Sequence, residues 1–172
     1  ATGVDTVYAK ITGPGSVVEG LTTTDYTVSL VDSSGVAVKL YAGQTATVTL
    51  ATNDTALLVK ATAGSDYVSF NPATNTLTIT GTAGGVNSAT FTIATTDDFY
   101  NDDGEQFNVA ISNLTVTNTD NSAVFEATGI DQSYSKVTTT ILSNTNSDDT
   151  NEGAATGVDT VYAKITGPGS VV

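Results

Sequence analysis

Apolar and polar residues alternate with a period of two along most of the chain, and nowhere do apolar residues hold a helical period of 3.6. Val7, Ala9 and Ile11 share one face of a first run, Tyr26, Val28 and Leu30 of a second, and Ala46, Val48 and Leu50 of a third. Leu77 and Ile79 follow, then Ala89, Phe91 and Ile93, then Phe107, Val109 and Ile111, then Val137, Thr139 and Ile141. Successive side chains of a strand point to opposite faces, so each run reads as a strand with one buried side. Turn formers separate the runs: Gly13-Pro14-Gly15, Asp32-Ser33-Ser34-Gly35, Asn71-Pro72, Gly84-Gly85 and Asn101-Asp102-Asp103-Gly104. About seven or more half-buried strands joined in this way predict an all-β fold, an antiparallel β-sandwich.

A second feature sets the boundaries. Residues 155–172 (ATGVDTVYAKITGPGSVV) repeat residues 1–18 letter for letter, so the sequence holds one period of a tandem array and the opening of the next. The polar stretch before the copy has no β-branched run to pair. These features predict an inter-repeat linker over 148–154 and leave the phase of the array open, since residues 19–172 also contain each strand once. The phase favoured, on the family resemblance at Glu19 given below, is a sandwich repeat over 1–147 with 155–172 as the first strand of the next repeat. A chain of 172 residues has room for one such core. The duplicated strand lacks a sheet of its own and is expected either to project as a stub or to pair with a neighbouring molecule. A unit copied head to tail contributes length or valency more readily than one special pocket, which favours a spacer or adhesive module over an enzyme.

Charge narrows the partners. Eighteen carboxylates stand against five lysines, without arginine or histidine, for a formal charge of -13. Binding nucleic acid requires clustered cations, which this chain lacks, and anionic membrane surfaces are disfavoured for the same reason. No run approaches the roughly 18–20 apolar residues of a membrane span, so no insertion is expected. With neither cysteine nor histidine the donors are oxygens, which suit hard cations and calcium above all. Catalysis is not expected. Ser or Thr nucleophiles lack a histidine base, and glycoside cleavage would need a cleft with aromatic walls, so no small-molecule substrate is foreseen. The lysines read as surface charges, the tyrosines as core or corner packing, and Asp25, Asp32, Asp54, Asp120 and Asp131 as turn residues.

The densest chemistry is DDFYNDDGEQF, Asp97 to Phe107, in which five carboxylates occupy nine residues. Two such charges about 4 Å apart repel by about 1 kcal/mol even in water, so a folded loop holding five favours a compensating cation over a merely solvated turn. The calcium loop of EF-hands does not fit, because placing Gly104 at its sixth position puts Phe99 at the first. The glycine-rich nonapeptide of β-rolls does not fit either, since Gly84-Gly85 lacks the following Gly and Asp.

The order of motifs resembles the Calx-β domain: VVEG at Glu19, GSDYV at Asp66, DD at Asp97 and Asp98, and DGEQFNVAISN from Asp103 to Asn113. The resemblance covers roughly Val4 to Ser143 and is most specific between Gly64 and Asn113. It implies an immunoglobulin-like sandwich that binds Ca2+ at one end. It also implies metal-ligand roles for Glu19, Asp66, Asp97, Asp98 and Glu105, with Asp102 or Asp103 in addition and Asp148 and Asp149 completing the cluster after the last strand. The chain departs from the pattern in extra material at 54–63 and 115–133, and in Asn101, where the family often has an acidic residue. The whole profile, an acidic, cysteine-free tandem repeat opening with TVYAKITG, also resembles the extender repeats of large bacterial repeats-in-toxin adhesins secreted by the type I route. That resemblance implies a secreted, cell-surface location, neighbouring repeats of the same chain as partners, and calcium stiffening a rod used in adhesion or biofilm formation. A module that grips carbohydrate or protein, with structural calcium, is the alternative.

Overall fold

The computed structural model describes residues 6–53, 76–96, 104–142 and 163–164. Among the described residues nine strands form two sheets. The first is built from β1 (Thr6–Thr12), β3 (Tyr26–Val31), β6 (Ser88–Phe91) and β8 (Ala127–Ile130), in the order β6-β3-β1-β8. The second is built from β2 (Ser16–Val18), β4 (Gln44–Asn53), β5 (Thr76–Thr80), β7 (Gln106–Asn118) and β9 (Lys136–Leu142), in the order β2-β9-β7-β4-β5. A single turn of 3-10 helix, Gln132–Tyr134, joins β8 to β9. Among the described residues no helix is long and apolar enough to cross a membrane.

The alternation read from the sequence is the alternation of burial. Val7, Ala9 and Ile11 of β1, Tyr26, Val28 and Leu30 of β3, and Phe107 and Val109 of β7 are at most 1% exposed, and they meet Ala46, Val48, Ile79 and Ile141 between the sheets. Thr139, which the periodicity also turned inward, is buried without an apolar side chain. Its hydroxyl donates to the Pro14 carbonyl at 2.8 Å and hydrogen-bonds the Tyr26 hydroxyl, so the polar atoms brought inside are satisfied.

Two arrangements go beyond the sequence reading. Gly13-Pro14-Gly15 is not a hairpin turn; here the chain crosses from the first sheet to the second. β1 ends there and β2 begins, pairing parallel with β9 (Val17 opposite Ile141). Proline lacks the donor a ladder needs, and Gly13 lies so close to the Tyr26 ring that a Cβ would stand 2.3 Å from its Cδ1. β8, from the stretch identified as extra material, adds a second parallel pairing by aligning with the outer edge of β1.

β7 is longer than its periodicity suggests. Thr49 and Thr47 of β4 face Ser112 and Thr115 of β7, so β7 carries one additional residue, and Asn113 takes a left-handed φ of 54° there. The bulge shifts the inward phase from Ile111 to Leu114 and Val116, both buried.

Strand directions give the module two poles. β1, β2, β4 and β9 run towards one end, the exit pole, where β9 finishes and β7 begins. β1 starts at the opposite end, the entry pole, where β3 and β7 finish. The chain therefore enters at one end and leaves at the other.

Candidate functional site

The exit pole is organised around the turn that follows β2. Glu19 continues the pairing with β9, its N–H donating to the Leu142 carbonyl at 2.9 Å. Gly20, with φ of 73°, reverses the chain, and the Leu21 N–H returns to the Val18 carbonyl at 3.1 Å. Thr95, in the segment that follows β6, clamps this turn. Its hydroxyl lies 2.7 Å from the Leu21 carbonyl and 3.2 Å from that of Val18, and its N–H donates to the same Leu21 carbonyl at 2.9 Å. Thr23 completes the tie, its N–H donating to the Ile93 carbonyl and its hydroxyl accepting from the Ile93 N–H. Held in this way, the Glu19 side chain is only 1% exposed, a carboxylate in the interior of the pole.

Glu105 occupies the other flank. The Gly104 N–H donates to the Ile141 carbonyl at 2.9 Å, and the Glu105 carbonyl accepts from the Ile141 N–H at 2.7 Å. Val17 pairs with Ile141 from the opposite side. The backbone of β9 at Ile141–Leu142 thus lies between the Glu19 turn and the Gly104–Glu105 segment, and the fold brings these two acidic residues to one end.

Of the other expected ligands, Asp66, Asp97, Asp98, Asp102, Asp103, Asp148 and Asp149 lie outside the described residues. The described residues from which the segments bearing them depart, or to which they return, converge on this end. Thr96, directly before Asp97, follows the Thr95 clamp, and Gly104, directly after Asp103, is bonded to Ile141. Asn53, from which the chain proceeds towards Asp66, ends β4 opposite Asn108, and Leu142, from which it proceeds towards Asp148, ends β9. Among the described residues themselves, no group of three or more acidic side chains is assembled to hold a metal.

Asp32, Asp120 and Asp131 serve turns, as their settings suggested, while Asp54 lies outside the described residues. Asp32 accepts from the N–H groups of Ser34 and Val36 at 2.8 and 2.9 Å, and Asp131 caps the 3-10 turn by accepting from the Ser133 N–H. The hydroxyl of Ser122, together with its N–H, holds the Asp120 carboxyl below the usual carboxylate range. Lys39 and Lys136 are exposed, and Lys10 is half-buried with its ammonium 5.8 Å above the Tyr134 ring. Thr95 is the residue that periodicity did not reveal. It looks like any other strand threonine, and its role depends on a turn more than seventy positions away.

No family model matches the sequence. No curated protein matches it either. Solved structures do match. The apo form of the Calx CBD1 domain superposes with a TM-score of 0.54 at 20% identity, over 79% of this chain and 96% of that one. CBD12 from CALX1.2 superposes with a TM-score of 0.52 at 20% identity, over 80% of this chain and 44% of that one. Likeness at this level of identity is a likeness of fold, and the fold is an all-β, Calx-β-like, immunoglobulin-like sandwich.

Proposed function

We propose that this chain is a non-catalytic calcium-binding repeat, one link of an extended surface adhesin. In this reading the ion or ions sit at the exit pole and stiffen the junction with the next repeat outside the cell. The observation that carries the reading is the buried Glu19 carboxylate, fixed between β9 and the Thr95 clamp where the segments bearing Asp66, Asp97 to Asp103 and Asp148 to Asp149 begin or end. A buried carboxylate is tolerated where it is hydrogen-bonded, paired or coordinated, and oxygen donors from several loops are what a calcium ion takes at about 2.3–2.6 Å. Support also comes from the matched structures, since the Calx CBD1 domain, whose structure is that of an apo form, shares this fold.

Glu19 and Glu105 act as ligands from the described framework. Asp66, Asp97, Asp98, Asp102, Asp103, Asp148 and Asp149 supply the remainder, with Asp148 and Asp149 contributed by the linker. An ion shared by a module and its linker removes bending freedom between repeats. Extracellular calcium modules bind at about 0.1–1 mM, so a calcium-poor cytoplasm would leave the array loose and the exterior would set it.

Small-angle scattering on a protein of three repeats tests the rod. The expected result is a longer maximum dimension with calcium than with chelator; an unchanged dimension would remove the stiffening role. The second reading, a sugar- or protein-gripping module, is favoured by one feature. At the entry pole Tyr41, 54% exposed, and Val36, 61% exposed, border an open groove with Val124 and Phe125. Retention of the calcium-loaded protein on a glycan array would select that reading.

A further inference from the structure

The position held by β1 and β2 is one for which this chain carries two occupants. β1 is an inner strand, paired on one side with β3 and on the other with β8, and its Val7, Ala9 and Ile11 side chains are 0%, 0% and 1% exposed. β2 borders the second sheet, where Val17 is 7% exposed beside β9. Residues 155–172 are identical to residues 1–18, so Val161, Ala163, Ile165 and Val171 reproduce these inward side chains in the same order. The second copy does not occupy the sandwich at the residues described. Ala163 and Lys164 are exposed and belong to no strand, whereas Ala9, the counterpart of Ala163, is fully buried.

Reach permits a change of occupant. Residues 143–159 lie between the end of β9 and Thr160, the counterpart of Thr6. Seventeen residues extend to about 55–60 Å at about 3.3–3.6 Å each, whereas β1, seven residues long, covers about 23 Å. The linker is therefore long enough to return from the exit pole to the entry pole and to lay the second copy along the course of the first.

We propose that residues 155–172 are an alternative β1–β2 segment that exchanges with residues 1–18 in the same molecule, closing one sandwich in either of two phases, 1–154 or 19–172. Because the inserted residues are identical, the side-chain packing of β1 and β2 is the same in both phases. The phases differ in the continuous Val18–Glu19 backbone of the first, whose Val18 carbonyl takes the Leu21 N–H and faces the Thr95 hydroxyl. The populations of the two phases depend on that junction and on the linker, whose closure cost grows only slowly with length. In a longer array every β1–β2 segment then faces two equivalent positions, one in its own repeat and one in the repeat before it. A repeat that loses its first strand is completed by the next.

The full 172-residue chain provides the test, through Ala9→Asp, Ala163→Asp and the double variant. Aspartate at Ala9 would place a carboxylate between the sheets. Both single variants are expected to keep a cooperative unfolding transition near the wild-type temperature and to sediment as monomers, while the double variant loses the transition. Limited proteolysis read by mass spectrometry should show residues 1–18 released and 155–172 protected in Ala9→Asp, and the reverse in Ala163→Asp. The milder pair Ile11→Ala and Ile165→Ala repeats the comparison, with both singles near wild type and the double lowered. Collapse of Ala9→Asp and Ile11→Ala to the level of their doubles, with the second-copy variants unchanged, would overturn the proposal. Folding of Ala9→Asp only as an oligomer would also overturn it, by placing the donated strand in a neighbouring molecule.

Discussion

Tyr26 lies wholly inside the sandwich, and its surroundings hold its hydroxyl neutral. Burial pushes the phenol above its ordinary value of about 10, opposed in part by the hydrogen bond with Thr139. The sign of the linkage follows. Above pH about 10 the unfolded chain gives up this proton while the folded one keeps it, so stability falls as pH rises through that range. Chemical denaturation at a series of alkaline pH values should therefore show a steeper loss in wild type than in Tyr26→Phe. The variant itself should cost only about 1 kcal/mol at neutral pH, because the Thr139 hydroxyl retains the Pro14 carbonyl. Gly13 is constrained by the same ring. A methyl group at 2.3 Å from Tyr26 Cδ1 must displace it from its stack on Phe91, where the centroids are 5.2 Å apart. Gly13→Ala should destabilise the domain by about 1–3 kcal/mol, measured as a lower denaturation midpoint with unchanged slope.

Among the elements, the turn after β2 depends on a residue of the segment that follows β6. Thr95→Val keeps the shape of the side chain and removes a hydroxyl that faces the Val18 and Leu21 carbonyls. The expected loss is about 1–2 kcal/mol, accompanied by weaker calcium binding, since Glu19 lies inside that turn; thermal melts with and without calcium would read both. Period-two patterning made the inward faces of β1, β3, β4, β7 and β9 legible, Thr139 included, because a strand offers its side chains only two directions. It did not reveal where the chain changes sheets at Gly13-Pro14-Gly15, since a glycine-proline break looks the same whether the chain reverses or crosses over. Nor did it reveal the bulge at Asn113, which resets the phase within one strand and so ends the alternation there. The acidic motifs marked the Glu19 turn and the Glu105 segment, which the fold brings to one pole. Thr95 carried no such mark, because its partners are distant in sequence.

For the whole molecule, the decisive property is polarity: the chain enters at one end of the sandwich and leaves at the other, beside Glu19 and Glu105. In the proposed array, repeats joined this way would place the exit pole of one at the linker to the next, and a cation held there would act on the length of the array as well as on the stability of a module. Saturating calcium at about 100 times its dissociation constant should add about 2.7 kcal/mol to the folded state. Magnesium at equal concentration should add less, because it prefers a smaller octahedral shell and sheds water reluctantly. Isothermal titration with calcium on the wild-type chain, on Glu19→Gln and on Asp97→Asn tests the central claim most directly. The account predicts saturable binding to the wild type that is weakened at least tenfold in both variants. Absence of binding to the wild type, or equal binding by all three, would contradict it.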